Sequence, residues 1–148
     1  MSFKTHGHAG ILMKKAARLF EQAANRNLDK LGVTYAQTIF LIRLWERDGQ
    51  NQMELAKSAG LKQPSVVRIL DRMERDCLIS RMRNPNDRRM FNFYLTPKAK
   101  VACQELENEA TVMHEITTVA IPKDEAEKFN KLLSHMIGNL QNFLEEKK

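Results

Sequence analysis

The chain has 148 residues, 43% of them hydrophobic, enough for one domain or one subunit of a compact dimer. Its longest uninterrupted aliphatic or aromatic run, Ile39-Phe40-Leu41-Ile42, is far too short for a membrane-spanning helix. The formal charge of +6 is not evenly spread: residues 61–100 hold ten basic and four acidic side chains, while the rest of the chain holds fourteen of each.

In chain order, residues 11–31 read as a helix. Leu12, Ala16, Leu19 and Ala23 recur at helical spacing, and Gly32 supplies the stop. Thr34-x-x-Gln37 is a capping box that opens a second helix through Trp45, closed by Gly49. Asn51-x-x-Glu54 is another, starting a short third helix to about Ser58. Gly60 turns the chain, and Pro64 suits the first turn of a fourth helix whose Val66, Ile69, Leu70 and Met73 form an apolar stripe. Residues 78–83 and 90–95 read as two strands joined by a polar turn, with Phe91, Phe93 and Leu95 on one apolar face. Thr96-Pro97 caps a long helix with Val101, Leu106, Ala110, Met113 and Ile116 directed inward. Pro122 starts a last helix bearing Phe129, Leu132, Leu133, Met136, Ile137, Leu140 and Phe143, a stripe more apolar than one small subunit needs and suited to a dimer seam. The fold class expected is mainly α with a small β-hairpin.

A charge surplus confined to residues 61–100 fits a surface for a polyanion better than it fits a solvated face. The segment 52–74 fits a helix-turn-helix: Ala56 falls where two helices cross closely, and Gly60, four residues later, can take positive φ. Away from the apolar stripe, Pro64, Arg68, Asp71 and Arg75 share the outer face of the second helix, flanked by Gln63, Ser65, Val67 and Arg72. This layout leaves the N-terminal residues of that helix free to enter a DNA major groove. Arg68 suits a guanine edge, Gln63 an adenine edge, Val67 a thymine methyl group, and Ser65 a phosphate or base. The hairpin that follows is then a wing. Its tip, Asn84-Pro85-Asn86-Asp87-Arg88-Arg89, offers an arginine to the minor groove, with Asp87 steadying the tip.

Other chemistry has no foothold. There is no P-loop, GxSxG or HExxH motif, so no enzyme and no cofactor is expected. Cys77 and Cys103 form no CxxC pair, and a reducing cytoplasm is the expected setting, with Cys77 packed in the interior. No long apolar region follows Lys4, His6 and His8, so no signal peptide is expected. No metal site is expected either: His6-x-His8 lies near a terminus, and His114 and His135 lack helical partners.

Three stretches, "LGVTYAQTIFLIRL", "ELAKSAGLKQPSVVRILDRMERDCLISR" and "NPNDRRMFNFYLTPKAK", resemble the MarR family of winged helix-turn-helix transcriptional regulators from about Ile11 onward. The resemblance implies a winged helix-turn-helix over residues 33–96, with N- and C-terminal dimerisation helices over 1–32 and 97–148. Leu12, Leu19, Phe129, Leu133, Met136, Leu140 and Phe143 would lie at the seam of a homodimer whose first and last two helices entwine. It implies a palindromic double-stranded site, with Gln63, Pro64, Ser65, Val67, Arg68 and Arg72 in the major groove and the wing residues Asp87, Arg88 and Arg89 at the minor groove. On the family pattern Asp87 and Arg89 hold the wing together, and one of the two arginines enters the groove. Members are most often repressors released by a small molecule, often an aromatic acid, or by oxidation or metal; no residues are assigned here to an effector. The competing readings are a winged-helix module for protein partners, without DNA, and a redox- or metal-sensing regulator. The chain departs from the pattern at Cys77 and Ala99, each standing where the family usually has glycine.

Overall fold

In the computed structural model, which describes residues 8–146, the chain runs through α1 (Ala9–Leu28), a 3-10 turn (Asp29–Leu31), α2 (Tyr35–Glu46), β1 (Gln50–Asn51), α3 (Gln52–Ala59), α4 (Gln63–Arg75), β2 (Ile79–Arg83), β3 (Phe91–Leu95), α5 (Pro97–Thr117) and α6 (Lys123–Glu145). The fold class read from the sequence is borne out: mostly helix, with a small antiparallel sheet. His6 lies outside the described residues. The chain divides into one unit ending at Thr111 and a second beginning at Val112.

The first unit gathers apolar side chains from five helices and the sheet. Phe40, Leu41 and Leu44 of α2, Leu55 of α3, and Val66, Leu70 and Met73 of α4 are buried together with Leu78, Phe93 and Leu95. Local signals set the boundaries. Gly32 takes the left-handed conformation after the 3-10 turn. Both capping boxes form: Gln37 Oε1 accepts from the Thr34 N–H at 3.0 Å, and Asn51 and Glu54 exchange bonds of 2.9 Å.

Two strands are expected from the sequence; the sheet has three, in the order β1-β3-β2. Gln50 pairs with Phe93, and Ile79–Arg83 runs antiparallel to Phe91–Leu95 with Ile79 opposite Leu95. A two-residue strand carries no alternation to read. What fixes it is Gln50, whose buried amide donates to the carbonyls of Arg43 and Arg47 at 2.7 and 2.6 Å. Gly49 is required beside it: φ is 75°, and a Cβ there would stand 2.9 Å from the Tyr94 ring.

The inward set expected for α5 is partly wrong. Val101 is 65% exposed, and Ala110 and Ile116 are exposed too, whereas Leu106 and Met113 are buried as expected. In the first unit the buried positions of α5 are Ala99, Ala102, Leu106 and Glu109. The stripe is built from two alanines, one leucine and one carboxylate, so hydrophobicity alone sets its phase wrongly. Glu109 tolerates burial because Lys30 Nζ lies 2.7 Å from it and Asn27 Nδ2 donates to its other oxygen. In the second unit Met113 and Ala126 are buried, and α6 leaves Phe129, Leu140 and Phe143 exposed, with Leu133 and Met136 half-buried. Leu12 and Leu19 on α1 are likewise exposed.

Candidate nucleic-acid interface

Two helix ends build the turn between α3 and α4. At the end of α3, Gly60 sits at φ 64°, and the Leu61 N–H reaches back to the Ala56 carbonyl at 3.1 Å. Ala56 is buried where the helices meet, as its spacing implies. At the far end of α4, Cys77 occupies the left-handed position at φ 59°. Its N–H bonds to Glu74 O at 3.0 Å and that of Leu78 to Met73 O at 2.8 Å, closing the helix as a glycine would. Cys77 therefore keeps the turn and accepts the conformational strain, and its thiol is exposed rather than packed inside, because a residue at this turn faces solvent. Thr96 Oγ1 donates to Cys77 O at 2.7 Å, and Lys98 Nζ to Asp76 O at 3.0 Å, tying the end of α4 to the start of α5.

With α4 anchored by Val66, Leu70 and Met73, its outer face is open. Gln63, Pro64, Val67, Arg68 and Arg72 are exposed, and Ser65 is half-buried. Among the described residues no ion pair engages Arg68 or Arg72. Asp71 and Glu74, on the same helix, are not free: Arg81 of β2 bonds Asp71 through Nη2 and Glu74 through Nε, each at 3.0 Å. The Arg81 guanidinium also stands 5.4 and 5.5 Å from the ring centres of Phe91 and Phe93. One side chain thus joins α4 to the hairpin and masks two carboxylates beside the cationic face.

The tip of the hairpin is a chain of short-range bonds. Asn84 Oδ1 accepts from the N–H groups of Asn86 and Asp87 at 2.8 and 3.3 Å, and Asn84 N–H bonds to Met90 O at 2.9 Å. Asp87 Oδ1 accepts from Arg89 twice, from its backbone N–H at 3.0 Å and from its Nε at 3.4 Å. Arg83 Nη1 donates to the Arg88 carbonyl at 3.0 Å and lies over Phe91. Asp87 therefore holds Arg89, while no ion pair among the described residues engages the Arg88 guanidinium. Between hairpin and helices lies a recess of about 170 Å³ lined by Asn51, Gln52, Gln63, Arg81, Arg89 and Phe91, among others.

Some of these roles are invisible to spacing. Arg81, Arg83 and Asn84 act across a strand or within the turn, and only their residue types, an arginine near two acids and an Asn before Pro, hint at it. Glu54 is legible as a cap. Its carboxyl is held below the ordinary value of 4.5, first by the Asn51 backbone N–H and then by Arg47, whose Nη2 lies 3.0 Å away. Burial pushes the Cys103 thiol up to about 11, leaving it protonated at neutral pH. In the second unit a cavity of about 240 Å³ is lined by His114, Thr118, Ile121, Lys123, Glu127 and Asn130. Among the described residues no helix is long and apolar enough to cross a membrane.

Comparison with known proteins bears out the resemblance read in the sequence. Residues 33–91 match the MarR family. The fold is shared with a MarR protein from Peptoclostridium difficile at TM-score 0.82 and 20% identity, covering 100% of this chain and 97% of that one. It is similar to MepR of S. aureus, solved in complex with DNA, at TM-score 0.78 and 23% identity over 89% of this chain and 98% of that one. It is also similar to a cysteine-to-serine mutant of MarR from E. coli complexed with operator DNA, at TM-score 0.76 and 24% identity over 86% and 91%.

Proposed function

We propose that this chain, whose residues 33–91 match the MarR family, is a sequence-specific double-stranded DNA-binding transcriptional regulator working as a homodimer on a palindromic site. The observation that carries the reading is the outer face of α4. Arg68 and Arg72 are exposed and free of ion pairs among the described residues, while Arg81 neutralises the acids beside them. In this reading Gln63, Pro64, Ser65, Val67, Arg68 and Arg72 enter the major groove, where arginine suits a guanine edge. Arg88 enters the minor groove, and Asp87 and Arg89 hold the tip. The DNA complexes of MepR and of MarR, on the same fold, support DNA binding as the role of this face.

Residues 1–32 and 97–148 form the dimerisation region in this reading, and 33–96 the DNA-binding region. Exposed Leu12, Leu19, Phe129 and Leu140 supply apolar surface for the seam, joined by Leu133, Met136 and Phe143. A two-fold dimer sets its two recognition helices about 34 Å apart, one DNA turn. The regulator acts as a repressor released by a small-molecule effector.

Selection of bound sequences from random duplex DNA tests the reading. It should return two inverted half-sites with centres about 10 base pairs apart or a multiple of that. A pool that stays random after selection would leave a winged-helix module for protein partners as the better description.

A further inference from the structure

Gln63, the first residue of α4, is exposed, and its amide is engaged by a neighbouring glutamine. Gln52, the first residue of α3, donates from Nε2 to Gln63 Oε1 at 3.0 Å. The backbone of Gln52 lies within the Asn51–Glu54 capping box at the start of α3. Both glutamines line the recess beside the hairpin. We propose that Gln52 is a positioning residue that fixes the amide of Gln63 so that it selects adenine at one base pair in each half-site; the proposal rests on the DNA-binding reading above.

A glutamine amide has a donor and an acceptor side that exchange places when its last bond rotates by half a turn. An unrestrained amide can therefore offer either order of groups to a base edge. Adenine presents an acceptor at N7 and a donor at N6 in the major groove, whereas guanine presents two acceptors, N7 and O6. The bond from Gln52 occupies one lone pair of Gln63 Oε1. The second lone pair remains for adenine N6, and the Gln63 NH₂ remains for N7. With the Gln52 amide as it lies, turning the Gln63 amide over would set two NH₂ groups against each other, so the bond favours the order that matches adenine before DNA arrives. Gln52 needs no contact with a base to do this.

The test is a comparison of wild type, Gln52→Met, Gln63→Ala and the double variant, each as the full chain. Binding is measured to the selected duplex and to versions changed at one base pair at a time. Gln52→Met keeps the size of the side chain and removes the donor. The wild type should prefer adenine over guanine at one position per half-site, by roughly tenfold or more. Gln52→Met should shrink that preference severalfold at that position only, and Gln63→Ala should abolish it. In the Gln63→Ala background, Gln52→Met should change nothing there. A Gln52→Met protein with wild-type preferences at every position would overturn the proposal. So would an equal loss on all duplexes, which would make Gln52 a phosphate contact. If the wild type itself selects no sequence, the DNA-binding reading fails first, and that outcome is visible before any variant is made.

Discussion

Arg88 and Arg89 are neighbours in sequence but not in environment. Asp87 takes Arg89 by its backbone N–H at 3.0 Å and, more loosely, by Nε at 3.4 Å, with the Arg89 side chain 92% exposed. An ion pair so exposed contributes little by itself; the backbone bond is what shapes the tip. No ion pair among the described residues engages the Arg88 guanidinium, which the proposed function gives to the minor groove. Alanine substitution should separate the three arginines of the interface. Arg68→Ala should cost about 1–3 kcal/mol and relax preference at one base pair. Arg88→Ala should weaken binding most on A·T-rich flanks, where the minor groove is narrow and most negative. Arg89→Ala should do less. Quantitative footprinting with flank variants would decide it, and equal losses for Arg88→Ala and Arg89→Ala would remove the division of labour. The exposed residues of α4 were legible because they lie opposite a regular apolar stripe. The partner of Asp87 came only from the family resemblance, which pairs it with Arg89; the residues alone leave it open, since two adjacent arginines offer the same chemistry at nearly the same reach.

Between elements, Arg81 decides how the hairpin meets α4. It gathers Asp71, Glu74, Phe91 and Phe93 around one guanidinium. Arg81→Gln should leave the helices formed but lose protection of the flanking minor groove, with the centre of each half-site still protected. Because the charge of Arg81 is already spent on two carboxylates, the salt dependence of binding should not lose the unit slope that a phosphate contact contributes. Loss of that unit would mean that Arg81 touches DNA. The start of α3 has its own signature. Glu54 has a folded-state pKa below its unfolded one, so its stabilisation is fully present above the ordinary carboxylate range and is lost as pH falls through the folded value. Thermal melts of Glu54→Gln between neutral pH and pH 3 should therefore start lower than wild type and decline less on acidification. Parallel declines would contradict the linkage. The helices and both capping boxes could be read from local sequence, because each depends on residues within a few positions. Strand β1 could not: Gln50 is held by carbonyls of α2 and by a strand more than forty residues later. The phase of α5 was missed for a related reason, a buried Glu109 whose partners, Asn27 and Lys30, lie on an earlier part of the chain.

For the whole molecule, the charge surplus and the main exposed apolar stripes fall on different segments of the chain. All of the net +6 falls within residues 61–100, and exposed apolar side chains recur on α1 and α6. That separation is what a dimer presenting two cationic readers requires. Leu140→Glu, which sets like charges into the proposed seam, should shift the protein to monomer in light scattering. Affinity for the full palindrome should fall on the order of a hundredfold, because the two half-sites are no longer bound together. A variant that remains dimeric would place the seam elsewhere. The apolar stripe of α6 was legible in the sequence as an excess; which molecule covers it is not written in any single chain.

The most direct measurement is a titration of the full chain with its selected duplex and with a scrambled duplex, at 50 and 200 mM salt. Six to ten phosphate contacts across a dimer should cost about 10³–10⁵ in affinity between these salts, with the selected duplex bound more tightly at both. Binding that ignores salt, or that treats the two duplexes alike, would contradict a sequence-reading DNA regulator.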